Sequence, residues 1–283
     1  MLSTEPLIHP IKIDYYVNSI FFENGDLVLS DYRNDILSTF SLNSICSDND
    51  IKDIIYYDEY LGRRNNSVDI YDIDSISHDE FKLVLSNTAC YRLDDSWDLE
   101  LTFGNTGPDN EKLNNAIAAD IDVYGRVYIA DAGDNSIKIY NEEGEFITSW
   151  SDIGSPRKIK LFDDKVYILD SENDNIVKYT QDGDLIGNAI VSNTLQNITA
   201  FSIVNPGLFL VADLNGRRIT FISSSGVIDE EKFDYCFYDI EFAFEDIRFV
   251  DYPDSWHAPF IVVDYGSNTV IEFYGGYYFC HFM

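Results

Sequence analysis

An all-β fold of repeated four-stranded antiparallel sheets is predicted from three recurring features of the chain. An apolar strand that closes in Asp returns again and again. In four copies a glycine turn follows it, 12 or 13 residues on. A polar or glycine turn precedes it in the same frame. Ala116–Trp150, AIAADIDVYGRVYIADAGDNSIKIYNEEGEFITSW, holds one full unit: strand, tight turn, strand ending in Asp, polar turn, strand, Gly turn, strand.

The closing residue sets the frame. Asp31, Asp131, Asp170, Asp213 and Asp264 end the runs LVLSD, VYIAD, VYILD, FLVAD and IVVD, and Asn87 ends LVLSN in the place of Asp. Positions 31, 87, 131, 170, 213 and 264 lie 56, 44, 39, 43 and 51 residues apart. Periods of about 40–50 residues suit four-stranded blades. Six units fill most of the 283 residues, so the expectation is one domain, 1–283, folded as a six-bladed β-propeller of four-stranded antiparallel blades. The blades are expected at roughly 1–60, 61–104, 116–151, 156–191, 198–232 and 239–283.

Each strand of the unit has its own signature. The first strands, 117–123, 157–162 and 199–204, are apolar with small or β-branched residues and are expected innermost, against a central channel. The third strands alternate, as in SIKIY and NIVKY, which predicts one face buried between blades. Gly144, Gly183, Gly226 and Gly276 then supply the positive φ of a tight hairpin between third and fourth strands. The aromatic C-terminal run, residues 271–283, is expected as the outer strand of the last blade. Residues 7–13 are the alternative source of a closing strand, and strand addition by a partner is a third reading of that edge.

The unit from Ala118 to Gly144, with Gly125, Asp131, Asn135 and the run SIKIY, resembles an NHL repeat. In this reading Asn175 and Asn268 take the place of Asn135. The resemblance implies a six-bladed propeller. It does not imply one activity, because NHL-like propellers range from protein- and RNA-binding modules to lyases.

Charge narrows the function. Fifty Asp and Glu stand against 19 Lys and Arg, a net charge of −31. Phosphate contacts need clustered Lys and Arg, so nucleic acid is excluded as the expected partner. The surface is expected to attract basic proteins or cations and to be repelled by anionic membranes. No run of about 20 apolar residues suggests a membrane span. No leader is visible in MLSTEPLIHPIKIDYY, so a cytoplasmic or particle-associated protein is expected. Cys46, Cys90, Cys236 and Cys280 are scattered and read as free thiols.

Four sets of residues are candidates for chemistry or binding. The closing aspartates resemble a ring of Ca²⁺ ligands, but Asp at a strand end accepts backbone N–H bonds two residues on, and its recurrence favours a structural role. Asp120, Asp122, Glu241 and Glu245, on or near innermost strands, are the candidates for a channel cation of the kind held by lactonase-like propellers. His78 and His257 occupy equivalent loops of blades that are not neighbours. Trp97, Trp150 and Trp256, near strand ends, are candidates for a partner-binding rim, with inter-blade packing as the alternative. The expected function is a non-enzymatic binding or assembly scaffold that needs no cofactor and engages a protein partner through an acidic face. The alternative is a metal-dependent lactonase or lyase at the channel, of the gluconolactonase or streptogramin-lyase kind, with a divalent cation such as Ca²⁺.

Overall fold

The structure, a computed structural model, describes backbone and side chains for residues 82–94, 98–190, 195–215 and 219–226. For the strands outside those ranges it describes the backbone alone.

Among the described residues the strands form six antiparallel sheets. The first holds β2 (Val17–Glu23), β3 (Asp26–Asp31), β4 (Ile36–Ser41) and β5 (Ile51–Tyr56). The second holds β6 (Ile70–Ser75), β7 (Lys82–Ser86), β8 (Cys90–Leu93) and β9 (Leu99–Phe103). The third is β10 (Ala116–Ile121), β11 (Val127–Asp131), β12 (Ser136–Tyr140) and β13 (Phe146–Trp150). The fourth is β14 (Pro156–Phe162), β15 (Lys165–Asp170), β16 (Asn175–Thr180) and β17 (Leu185–Ile190). The fifth shows β18 (Ile198–Asn205), β19 (Leu208–Asp213) and β20 (Arg218–Ser223). The sixth joins β21 (Phe244–Phe249), β22 (Phe260–Asp264) and β23 (Thr269–Phe273) to β1 (Ile8–Lys12).

The last pairing corrects the expected boundaries. β1 runs antiparallel to β23, from Ile8 opposite Phe273 to Lys12 opposite Thr269. The N-terminal strand therefore belongs to the sixth sheet and not to a blade spanning 1–60. β23, which contains Ile271, is the third strand of its sheet, and the outer strand is β1. Of the readings of that edge, the closing strand supplied by residues 7–13 is the one found.

First strands of successive sheets lie side by side: β2 by β6, β6 by β10, β10 by β14, β14 by β18, β18 by β21, and β21 by β2. Where side chains are described, the second strands of the sheets are buried on both faces. Val127 and Ile129 of β11 pack with Leu83 and Leu85 of the second sheet. Tyr128 and Ala130, pointing the other way, pack with Ile159, Val166 and Ile168 of the fourth. Tyr167 and Leu169 of β15 pack in turn with Phe201, Phe209 and Val211. A strand buried on both sides has no polar face to show, which is why the second strands read as unbroken apolar runs.

A bulge sits at one fixed point. In all six sheets the register between first and second strand skips one residue beside the closing position. Asp31, Asp131, Asp170, Asp213 and Asp264 all stand at that position. In the second sheet the residue there is Ser86, opposite Ile70, and not Asn87. The β7–β8 turn is tighter than its counterparts: Ser86 N–H donates to Ala89 O at 2.8 Å. The shorter turn moves the frame by one residue, and the Ser86 hydroxyl accepts the Ala89 N–H at 3.1 Å.

Candidate functional site

The closing carboxylates are occupied by backbone. Asp131 Oδ1 accepts N–H bonds from Asn115 (2.9 Å) and Gly133 (3.1 Å), and Oδ2 accepts from Asn114 (2.9 Å). Asp170 Oδ1 accepts from Ser155 (3.2 Å) and Glu172 (3.1 Å), and Oδ2 from the Asn173 amide (2.7 Å). Asp213 Oδ1 accepts from Gln196 N–H at 3.4 Å. Each carboxylate thus ties a hairpin turn, or the connection entering its own sheet, to a strand end. Burial without such partners would cost several kcal/mol, on the order of 2–7 per polar group. Asp31 and Asp264 are described by backbone only.

Asp131 carries a further load. Lys138, on β12, is buried at 2 % exposure and places Nζ 2.9 Å from Asp131 Oδ2. The same ammonium donates to Asp134 Oδ2 and to the Lys112 carbonyl. Asn114 Nδ2 donates to Asp134 Oδ1 at 2.9 Å. The Lys138 hydrogen bond, joined by that of Asn114, holds the Asp134 carboxyl below the usual carboxylate range against the opposing pull of burial.

The channel candidates separate. Asp120 Oδ1 accepts the Ile121 N–H at 2.8 Å, and Oδ2 accepts the Leu161 N–H of β14 at 2.6 Å, so this carboxylate stitches one first strand to the next. Asp122 organises the β10–β11 hairpin. Its Oδ1 accepts N–H bonds from Tyr124 and Arg126 (both 2.9 Å), and its Oδ2 takes Arg126 Nε at 2.6 Å. These contacts do not bring Asp120 and Asp122 together as ion ligands, and no metal-type cluster of His, Cys, Asp and Glu occurs among the described residues. Glu241 lies outside the described residues; Glu245 is placed on β21 by backbone alone. His78 and His257 also lie outside them.

Trp150 is not on a rim. It is buried at 9 % exposure, 5.8 Å from the Tyr128 ring and 6.1 Å from the Tyr179 ring, between the third and fourth sheets. A Cβ added to Gly183, in the β16–β17 turn, would lie 2.6 Å from the indole Nε1. The same socket stands one sheet earlier. Phe103 ends β9, lies 5.2 Å from the Tyr140 ring, and would meet a Cβ on Gly144 at 2.7 Å. Both glycines have positive φ, +75° and +90°. They are required twice, for the turn and for the aromatic ring of the preceding sheet. Trp97 and Trp256 lie outside the described residues.

Cations complete the junctions. Arg126 Nη2 donates to Gln181 Oε1 of the next sheet's turn at 2.9 Å. Arg92 Nη1 donates to the Glu142 carbonyl in the equivalent turn one sheet earlier, at 2.6 Å. Burial pushes the Tyr128 hydroxyl well above the ordinary phenol range.

Repetition ends at the bulges. The residues skipped by the register are Asn18, Tyr71, Ile117, Arg157, Thr199 and Glu245, six different side chains at one structural position on the first strands. Neighbouring bulges touch: Arg157 Nε donates to the Thr199 carbonyl at 3.2 Å. The Thr199 hydroxyl is buried and makes no hydrogen bond. Bulges commonly re-aim side chains beside active sites.

No protein-family model and no curated protein sequence matches the chain. Solved structures do. A catalytically inactive variant of virginiamycin B lyase from Staphylococcus aureus with quinupristin superposes with a TM-score of 0.68 at 12 % identity, over 95 % of this chain and 99 % of that one. A streptogramin B lyase gives a TM-score of 0.66 at 12 % identity, over 96 % and 88 % of the two chains. The computationally designed Ika8 protein gives 0.51 at 9 % identity, over 89 % and 70 %. The fold is a β-propeller. At these identities the likeness speaks to the fold alone.

Sequence reasoning missed three features of the propeller. The bulge shared by the sheets leaves no mark in a linear pattern. Lys138 sits in an alternating strand where a solvated lysine is the ordinary reading. The aromatic sockets had a signal: Phe103 and Trp150 each end a fourth strand, one unit before the glycine they cover. In the turn after the closing Asp, the place of Asn135 is taken in the next unit by Asp174, not Asn175. Asn135 and Asp174 share a φ of 49°, and the register sets Asn175 opposite Asp170 as Ser136 stands opposite Asp131.

Proposed function

We propose that the chain is a six-bladed propeller with NHL-like units, and that it works as a non-enzymatic binding or assembly scaffold engaging a protein partner through a rigid acidic face. One observation carries this reading. Asp120, Asp122, Asp131 and Asp170 all accept backbone N–H bonds, so these inner and closing carboxylates hold the frame. The carboxylates of the outer turns, such as Glu143 and Asp182, are exposed instead. A stiff frame with its free charge on the turns suits recognition of a basic partner. Affinity capture with the whole chain at native salt tests it, with size determination of the complex in the native source. A stable stoichiometric complex supports the scaffold. Absence of any complex, together with turnover of a lactone or ester, rejects it.

The second reading is a metal-dependent lactonase or lyase. The shared bulge favours it, since Arg157, the unbonded Thr199 hydroxyl and the Glu245 position stand on successive first strands. The solved neighbours named as lyases share only the fold with this chain. Lactone turnover that is lost on chelation and lost in Arg157→Ala would establish this reading.

A further inference from the structure

We propose that the third and fourth sheets form, at their turn-bearing end, a docking surface for a lysine- and arginine-rich amphipathic segment of a partner protein. This rests on the scaffold reading above and names its surface. The large apolar side chains exposed among the described residues are Val123, Tyr124, Ile147, Leu185 and Ile186, and all of them lie in these two sheets. Tyr124 is 72 % exposed and Leu185 64 %. Val123 and Tyr124 form the tip of the β10–β11 hairpin. Leu185 and Ile186 open β17, directly after the β16–β17 turn.

One side chain links the two groups. The Arg126 guanidinium stands 5.7 Å from the Tyr124 ring centroid and donates to Gln181 in the β16–β17 turn at 2.9 Å. Its own charge is matched by Asp122 at 2.6 Å. Exposed carboxylates border the apolar groups: Glu142 and Glu143 on the β12–β13 turn, Asp163 and Asp164 on the β14–β15 turn, Asp182 and Asp184 on the β16–β17 turn. The turns are closed by backbone hydrogen bonds, from Asn141 N–H to Glu145 O (3.0 Å) and from Thr180 N–H to Asp184 O (2.9 Å). The surface is therefore formed before anything binds, which lowers the entropic cost of docking.

Charge selects the occupant. A second copy would bring another net charge of −31 against this border, and like charge across an interface opposes association. A basic segment answers the carboxylates, and its apolar face covers Tyr124 and Leu185. Exposed apolar groups rimmed by charge are the usual form of such sites.

The test uses the whole chain and a fluorescent amphipathic peptide of alternating leucines and lysines, read by anisotropy. A scrambled peptide of equal composition serves as the control. Tyr124→Ser with Leu185→Ser is expected to weaken peptide binding about tenfold or more, the loss typical of central apolar contacts. Removal of two exposed carboxylates at the other end of the sheets, Asp152→Asn with Glu172→Gln, is expected to alter it less than about twofold. Melting curves confirm that both variants stay folded. Equal binding of the scrambled peptide, or undiminished binding by the Tyr124/Leu185 variant, overturns the proposal. A concentration-dependent dimer that the same variant abolishes assigns the surface to self-association and overturns it too. Loss of binding through the Asp152/Glu172 variant overturns this surface while the scaffold reading stands. Lactone turnover removes the scaffold reading without touching the peptide result.

Discussion

Two sets of carboxylates, set at opposite ends of the sheets, serve opposite purposes. At the end where first strands enter, Asp131 and Asp170 are buried and every described contact is a hydrogen bond or ion pair to the frame. At the end carrying the other turns, Glu143, Asp164 and Asp182 stand in solvent. Composition alone reads both as acidity. Position separates a carboxylate that replaces missing backbone partners from one that adds only to the field around the protein.

The largest expected break in that contrast is Asp131→Ala. It strands the N–H groups of Asn114, Asn115 and Gly133 and removes a counterion from buried Lys138. Loss of one member of a buried pair costs about 3–5 kcal/mol, so the urea midpoint is expected to fall steeply or the chain to fail to fold. Gly183→Ala follows. Its φ of +90° and the 2.6 Å approach to Trp150 predict a loss of about 1–3 kcal/mol, with a change in tryptophan fluorescence as the indole is displaced. A milder or absent effect would show that the socket yields.

The pH dependence of Asp134 sharpens the comparison. Its folded-state pKa is depressed, first by the Lys138 hydrogen bond. The group therefore contributes stability that is fully present above the unfolded carboxylate value, about 4, and is lost as pH falls through the lower folded value. Urea midpoints taken from pH 6 downward are expected to show this loss in the native chain and less of it in Asp134→Asn. Parallel curves would contradict the assignment. The smallest effect is expected from Glu143→Gln at the exposed end, within about 0.5 kcal/mol by the same melts.

Much of the frame was legible because it is local. The runs closing in Asp, the glycine turns and the alternating third strands each follow from the chemistry of a few neighbouring residues. What escaped is non-local or one residue deep. Residues 7–13 are one of three readings of the closing edge, and only the β1–β23 register decides among them. Ser86 holds the closing position because one turn is shorter, and nothing in LVLSN reveals that. The bulges at Arg157 and Thr199 depend on how two strands slip past each other, not on either strand alone. For the site, Asp120 lies on β10 with Asp122 just after it, and their partners, the Leu161 N–H and Arg126, make them stitches of the frame. Trp150 was near a strand end, but only the neighbouring sheet shows that it is covered.

Hydrogen exchange at the amides of Asn114, Asn115 and Gly133, followed in the intact chain with a chelator present, tests the central claim most directly. Bonds to the Asp131 carboxylate predict slow exchange that added Ca²⁺ leaves unchanged. Fast exchange under the chelator, slowed when Ca²⁺ is restored, would mean that a cation and not the backbone engages that carboxylate.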